Sequence, residues 1–242
     1  MPHQSVYSHR AKLGLITPPT NTVNEAEWAR MVPDGVTVHS QRMPLHGHGG
    51  GQGALLDDIA ANVALLAQAN VDVVAYACTA GSMVVPATSL PDAASARTGR
   101  AVVTTAAAIV AALDRLGASR VSIATPYHQA LNDHEVGFLA AHAIETLAIE
   151  GLGLGANGPS DYPFIARTPL SVIEDLAVRV FVPGSQALLI TCTDFPALPL
   201  IDRLEQRLGV PVISSNTATF WACLRRAGVD DALAGAGRLL TL

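Results

Sequence analysis

The sequence is poor in charge and almost without lysine. Among its 15 basic residues only Lys12 is a lysine, charged residues make up 14% of the 242-residue chain, and the net charge is −5. Without a basic tract, the chain lacks the electrostatic footprint of a protein that binds nucleic acid or an anionic membrane. No apolar run reaches the ~18 residues of a spanning helix, and no secretory signal is evident at the N-terminus. We therefore expect a cytoplasmic protein with neither nucleic-acid nor membrane partners.

Metal and dinucleotide motifs are also missing. The three cysteines cannot all pair within one chain and have no zinc-site spacing, so free thiols are expected. His46 and His48 are ligand types without a third partner, which favours a flexible polar loop over a metal site. The segment 153–158 fits GxGxxG, but Pro159 and Pro163 follow and no helix is predicted there. We predict no metal and no cofactor.

The sequence does contain a regular alternation of short apolar runs and longer helical stretches. The predicted strands are residues 12–18, 35–40, 71–78, 100–105, 120–126, 145–152, 186–192 and 210–215. Helical periodicity covers residues 53–69, 104–116, 129–142, 169–181 and 216–227. Near-continuous apolar strands separated by helices are typical of parallel sheets covered on both faces. The expected fold class is therefore α/β.

The two sets of strands match element by element, which indicates duplication of one unit. The corresponding pairs, at nearly constant separation, are Pro18 and Pro126, Cys78 and Cys192, and Thr104 and Ser214. We predict two pseudo-symmetric open parallel-sheet halves of flavodoxin-like type, residues 1–117 and 118–242, with the C-terminal helix able to pack back on the first half. Since ligands of open sheets bind beyond the carboxyl ends of the strands, the active site is expected in the cleft between the halves.

Two cysteines occupy equivalent positions in these halves. Cys78 and Cys192 each end an apolar strand and are followed by a threonine and a predicted helix start. Backbone N–H groups at a helix start stabilise anions and lower the pKa of a thiol. A buried cysteine is usually a small hydrophobe, and we expect this of Cys223, but two at equivalent strand ends favour a catalytic pair.

Two further side chains follow the first strand of each half. Asn21 either caps the next helix or presents its amide to a ligand carboxylate. Tyr127 either offers its hydroxyl as a hydrogen-bond donor or is a surface aromatic. Pro18, which ends the first predicted strand, is expected to line the same cleft.

At these motifs the chain resembles the aspartate/glutamate racemase superfamily, and most closely its branch of maleate cis–trans isomerases and arylmalonate decarboxylases. The blocks that carry the resemblance, between Gly14 and Leu240, are LGLITPPTNTVNEAE, YACTAGS, VSIATPYHQALND, LLITCTDFPALP, GVPVISSNTATFWACL and GAGRLL. The resemblance implies that Cys78 and Cys192 are the catalytic thiols. It also implies that Asn21, Tyr127 and Asn157 hold substrate carboxylates. Since basic residues are scarce here, backbone N–H groups are expected to assist at Thr79, Ala80, Thr193 and Asp194.

The function implied is that of a cofactor-independent isomerase acting on a small dicarboxylate or related acid. The Cys78 thiolate would add to a double bond, rotation would follow, and Cys192 would serve as general acid and base. A two-base amino-acid or hydantoin racemase is an alternative, as is a non-catalytic acid-binding module. An arylmalonate-type decarboxylase is disfavoured, because those enzymes carry glycine where Cys78 stands. The expected partners are a small carboxylic acid and further copies of the chain, as a homodimer or higher homo-oligomer.

Overall fold

A computed structural model describes residues 5–46 and 52–242 and contains two four-stranded parallel sheets. The first sheet has the order β2-β1-β3-β4 and the second β6-β5-β7-β8, which is the same order when the strands of each sheet are counted separately. The strands are β1 Ala11–Thr17, β2 Val36–Arg42, β3 Val73–Tyr76, β4 Ala101–Thr104, β5 Arg120–Tyr127, β6 Glu145–Leu154, β7 Ala187–Ile190 and β8 Val212–Ser214. The predicted fold class, two open parallel α/β halves, is confirmed.

Helices connect the strands in both sheets. They are α1 Asn24–Met31, α2 Gln52–Ala67, α3 Ser89–Thr98, α4 Thr105–Leu116, α5 Gln129–Ala140, α6 Tyr162–Ile165, α7 Leu170–Val180, α8 Ile201–Leu208 and α9 Ser215–Arg226. No α-helix begins within the GxGxxG segment, which lies at the end of β6 and in the turn after it. Helix α4 ends at Gly117, which takes the left-handed conformation (φ 66°) that favours glycine at a helix end. The division of the chain at residues 117 and 118 stays a prediction.

Strands β3 and β7, which precede the two cysteines, are buried along their whole length. Every residue of β3 (VVAY) and of β7 (ALLI) is buried, because each strand lies inside its sheet with helices on both faces. The edge strands β2 and β6 are half-buried along most of their length. The unbroken apolar runs of β3 and β7 thus follow from their central places in the two sheets.

Helix α9 joins the two sheets, although it follows the last strand of the second. The Trp28 and Phe220 ring centroids are 5.1 Å apart, and the Trp28 indole donates to the Asn216 carbonyl at 3.2 Å. Helix α9 also packs against α4, where the Thr219 hydroxyl donates to Thr105 Oγ1 at 3.0 Å. One apolar core therefore contains residues of both sheets, and their relative position is fixed by side-chain packing.

Candidate active site

The chain segments after β3 and β7 are hydrogen-bonded to each other. The Thr79 and Ser215 hydroxyl oxygens are 2.8 Å apart, and Ser215 Oγ also accepts from the Cys192 backbone N–H at 3.0 Å. The Thr193 hydroxyl donates to the Ala77 carbonyl at 3.1 Å. Thr79 is thus linked to Cys192 through the Ser215 hydroxyl, and Ala77 is bonded directly to Thr193. We call these three contacts the strand-end lock; they place the two cysteines at one end of both sheets.

Cys78 is buried among donors. Its Sγ accepts from the Gly81 backbone N–H at 3.4 Å, within the short 3-10 helix Ala80–Ser82. Burial raises the pKa of the Cys78 thiol, and the Gly81 N–H and the Tyr76 hydroxyl counteract part of that increase. The expected lowering of this pKa is wrong in its net direction, since the loss of hydration outweighs two hydrogen-bond donors.

Cys192 is half-buried and has an unusual backbone. Its φ of 97° lies in the left-handed region that non-glycine residues rarely adopt. Burial raises the pKa of the Cys192 thiol to about 12; the Asp194 carboxylate adds to the increase, and the Asp194 backbone N–H and Tyr127 hydroxyl oppose it. A turn, rather than the predicted helix, follows Cys192, so that part of the prediction is wrong.

Tyr127 lies beside both thiols at the end of β5. Burial raises the pKa of its phenol well above the ordinary value, and Cys192, Glu135 and Cys78 add to the increase. The hydroxyl therefore keeps its proton and is a donor. Glu135 was not predicted from the sequence: it is buried on α5, accepts from the Thr191 hydroxyl at 3.0 Å, and burial raises its pKa to about 8.

Although the cap position itself is Val23, the Asn21 side chain accepts from the backbone at the start of α1, as one of its two predicted alternatives supposed. Its Oδ1 accepts from the backbone N–H groups of Val23 and Asn24 at 3.1 and 3.0 Å, at the start of α1. Its Nδ2 donates to Thr193 Oγ1 at 3.0 Å, which extends the contacts between the two sheets. The amide is held in place by protein groups on both of its ends.

Asp194 also stabilises the turn before α1 through hydrogen bonds. Its Oδ1 accepts from the Thr22 and Val23 N–H groups at 2.8 and 3.2 Å, and burial raises its pKa to about 6 despite these donors and the nearby Arg42. Arg42, which was not predicted, donates to the Asn21 carbonyl at 2.8 Å and pairs with Glu25. A single arginine at the end of β2 carries no sequence signal that would distinguish it from a surface charge.

The remaining predicted residues differ in their placement. The Thr79 and Thr193 side chains belong to the strand-end lock, and their carbonyls accept from Ser82 and Asn216. The half-buried Pro18 accepts from the Asn21 N–H at 3.2 Å through its carbonyl. Asn157 lies in the exposed loop after β6, and its amide donates to Asp161 at 3.0 Å rather than to a residue of the thiol site.

The other candidates of the sequence form no metal site among the described residues. His46 Nε2 is 2.8 Å from Asp58 Oδ2, and His48 lies outside the described residues. Within residues 5–46 and 52–242, no three His, Cys, Asp or Glu side chains are grouped to hold a metal ion. In the same ranges no helix has the length and apolarity needed to cross a bilayer. Cys223 is fully buried in α9, as expected of a core residue.

Comparison with known proteins places this geometry in a family. Residues 13–240 match the family model described as arylmalonate decarboxylase. The chain is 30% identical to an arylmalonate decarboxylase of Bordetella bronchiseptica, over 94% of this chain and 95% of that protein. It is 29% identical to a maleate isomerase of Nocardia farcinica, over 95% of each.

A solved structure also has the same fold over almost the whole chain. It is a cysteine-to-serine variant of the Nocardia farcinica maleate cis–trans isomerase with a covalently bound succinylcysteine intermediate. The TM-score is 0.84 at 28% identity, over 96% of this chain and 98% of that chain. The resemblance to the branch of maleate isomerases and arylmalonate decarboxylases is confirmed, and the chain belongs to the arylmalonate decarboxylase family.

Proposed function

We propose that this protein is a cofactor-independent cis–trans isomerase of a small unsaturated dicarboxylate, with Cys78 as nucleophile and Cys192 as general acid and base. The observation that carries the proposal is the unequal surroundings of two neighbouring thiols. Cys78 faces hydrogen-bond donors, whereas Cys192 also faces the Asp194 carboxylate. A negative neighbour disfavours a thiolate and a donor favours it, so the Cys78 thiolate with the Cys192 thiol is the preferred arrangement.

The reaction then follows in balanced steps. The Cys78 sulfur forms a bond to one alkene carbon, and the Cys192 thiol gives its proton to the other carbon. The product is a succinyl thioether, in which the former double bond is single and rotates. Cys192 next removes a proton from the carbon that received one, the C–S bond breaks, and its electron pair returns to Cys78. The trans isomer leaves, and both cysteines regain their starting protonation states.

Several groups are proposed to hold the substrate. Tyr127 is supported by its position beside both thiols and by its retained proton, which suits a donor to a carboxylate. The Asn21 amide is proposed as a further donor, and Pro18 is proposed to line the pocket; both residues lie in one turn, which the contacts with Asp194 and Arg42 order. The remaining proposed ligands are the backbone N–H groups of Thr79, Ala80, Thr193 and Asp194 and the side chain of Asn157. Asn157 would reach a substrate only by leaving Asp161.

The relatives support a cysteine-based isomerisation. The maleate isomerase of Nocardia farcinica carries a succinylcysteine in one of its structures, which is the adduct that the steps above require. We propose a dicarboxylate of this size for the present chain. We also propose a cytosolic location, which the three free thiols favour, and a homo-oligomeric assembly.

A second candidate is decarboxylation of an arylmalonate, favoured by the family model and by the 30% identical relative. A decarboxylase needs one proton donor, and Cys192 could serve alone. The nucleophile at Cys78 would then have no role. Replacing Cys78 therefore separates the two reactions.

The test compares Cys78→Ser, Cys192→Ser and the core control Cys223→Ala with the parent on maleate and on phenylmalonate. We expect each of the first two variants to lose isomerisation by about 10²-fold or more, while Cys223→Ala keeps it. After long incubation of Cys192→Ser with maleate, water can supply the proton that the thiol would give, and mass spectrometry should find one substrate mass added to the Cys78 peptide. Carbon dioxide release from phenylmalonate by Cys78→Ser at the parental rate, without isomerisation of maleate by the parent, would overturn the proposal in favour of decarboxylation.

A further inference from the structure

Tyr76 lies next to Cys78 without a role in the steps above. It is the last residue of β3, and since side chains alternate along a strand, it shares a face with the residue two positions later. Tyr76 is 2% exposed and belongs to the same apolar cluster as Cys78. Its hydroxyl oxygen is buried and, among the described residues, makes no hydrogen bond of good geometry, although it lies close enough to the Cys78 thiol to oppose the rise of that thiol's pKa. A buried hydroxyl without a partner is rare in proteins and calls for an explanation.

The position of Gly81 shows how close the hydroxyl is to the thiol. A Cβ added to Gly81 would lie 2.5 Å from Tyr76 Oη and 3.0 Å from Cys78 Sγ. Both atoms therefore approach the Gly81 α-carbon from the side that a side chain would occupy. Gly81 is not among the glycines with positive φ, so its backbone does not require glycine. The missing side chain instead leaves room for the hydroxyl beside the sulfur.

The chemistry of this contact depends on the charge of the thiol. A neutral thiol is a weak acceptor, but a thiolate is a strong one, and a hydrogen bond to a charged group is stronger than one between neutral groups. Burial raises the pKa of Tyr76, so its hydroxyl keeps its proton beside a thiolate. The Gly81 N–H, at 3.4 Å from Sγ, supplies a second donor on the same sulfur.

We propose that Tyr76 is a positioning residue that stabilises the Cys78 thiolate by donating its hydroxyl hydrogen to Sγ, and that Gly81 is glycine so that this hydroxyl can reach. No proton is transferred: the hydroxyl donates to the thiolate before addition and again after the C–S bond breaks. The donor therefore favours both attack and departure of the sulfur. This inference rests on the proposed function only for its effect on turnover, because Cys78 can be ionised at alkaline pH without substrate.

The experiment measures the thiolate directly. In a Cys192→Ser background, the rate at which the small reagent methyl methanethiosulfonate modifies Cys78 is followed across neutral and alkaline pH, with the modified peptide identified by mass spectrometry. Tyr76→Phe should shift the pH midpoint upward and reduce the rate below that midpoint about tenfold or more. Gly81→Ala, which displaces the hydroxyl, should shift the midpoint in the same direction. The matched control is Tyr7→Phe at an exposed tyrosine, which should leave the profile unchanged.

Superposable profiles for Tyr76→Phe and its parent, with folding confirmed by circular dichroism, would overturn the inference. If Tyr76→Phe fails to fold, a fluorotyrosine incorporated at position 76 keeps the shape and strengthens the donor, so the midpoint should then move downward; an unmoved midpoint rejects the inference. Because no substrate is used, absence of maleate isomerisation leaves this test intact. Conversely, if the parent isomerises maleate but Tyr76→Phe leaves the pH profile of Cys78 modification unchanged, only the role of Tyr76 is rejected.

Discussion

The backbone conformation of Cys192 is strained for any residue except glycine, whereas the proposed reaction needs a thiol there, and the cost in stability can be measured. At φ 97° its Cβ is in steric conflict with the backbone, and the Ser215 hydroxyl holds the residue there by accepting from its N–H at 3.0 Å. Only glycine adopts this conformation without strain. We therefore expect Cys192→Gly to be more stable than Cys192→Ala, although both lack the thiol and should lose turnover.

The magnitude follows from two opposing terms. Strain of a non-glycine residue in a sparsely populated backbone region costs roughly 1–3 kcal/mol. Replacing alanine by glycine also increases the entropy of the unfolded chain, which costs about 0.4–1 kcal/mol of stability. The net expectation is a free energy of unfolding about 1 kcal/mol higher for Cys192→Gly, or roughly 2–4 °C in Tm for a chain of this length.

Cys223 provides the matched control. It lies inside α9, where glycine destabilises a helix by about 1 kcal/mol relative to alanine. The order of the two variants should therefore be reversed at Cys223, with Cys223→Ala the more stable. Urea unfolding of all four proteins, followed by circular dichroism, gives both differences. If Cys192→Gly is the less stable of its pair, as at Cys223, the strain argument is refuted.

Two further predictions concern the surroundings of Tyr127. Since burial raises the pKa of Glu135 to about 8, the folded state binds this proton more tightly than the unfolded chain and loses stability as pH rises toward that value. Glu135→Gln keeps an acceptor for Thr191, so it should change the free energy of unfolding little at about pH 5 and raise it by a few kcal/mol at about pH 9. Urea unfolding measures both values, and equal effects at the two pH values would contradict the prediction. A Cβ on Gly151 would lie 2.1 Å from the Tyr127 carbonyl oxygen, so Gly151→Ala should lose about 3 kcal/mol of stability together with turnover. The control is Gly137→Ala, in open space on α5, which should gain up to ~1 kcal/mol of stability in thermal unfolding and keep its turnover. If Gly151→Ala keeps its stability and turnover, the strand end can move and the steric argument is wrong.

The sheets were predictable from the sequence because their signal is local. The apolar runs at β3 and β7 extend over consecutive residues, and central parallel strands require this since both of their faces are covered. Helices α1, α3, α6 and α8 were not among the stretches of predicted helical periodicity, although the possible cap at Asn21 anticipated a helix at α1. Helix α3 contains Pro91 and α6 has only four residues, so their apolar pattern is weak. Helices α1 and α8 each bury one face, but over only eight residues, which gives a short signal.

The thiol pair was predictable, but its surroundings were not. The repeat alone pointed to Cys78 and Cys192. The strand-end lock joins Thr79 to Ser215 across 136 residues, and no local pattern reports contacts at that separation. Burial likewise depends on the whole fold, which is why the direction of both thiol pKa shifts was wrong. Tyr76 differs, since strand alternation already places it on the face of Cys78.

A duplicated fold presents an isomerase with a difficulty, because two equivalent thiols would have equal tendencies to ionise, whereas the reaction needs one thiolate and one thiol. The residues around the thiols differ at matching positions. Two residues before the thiol, the first half has Tyr76, a donor, where the second half has the apolar Ile190.

Two residues after the thiol, the difference is of opposite sign. The second half has the carboxylate of Asp194, which raises the pKa of Cys192, where the first half has Ala80. Each difference favours the anion at Cys78 or disfavours it at Cys192, so the two act in the same direction. Exchanging the pair in one variant, Tyr76→Ile with Ile190→Tyr, should therefore move the more reactive thiol from Cys78 toward Cys192. Modification of both cysteines by methyl methanethiosulfonate, compared by peptide mass spectrometry, measures that ratio, and an unchanged ratio would mean that Asp194 alone sets the asymmetry.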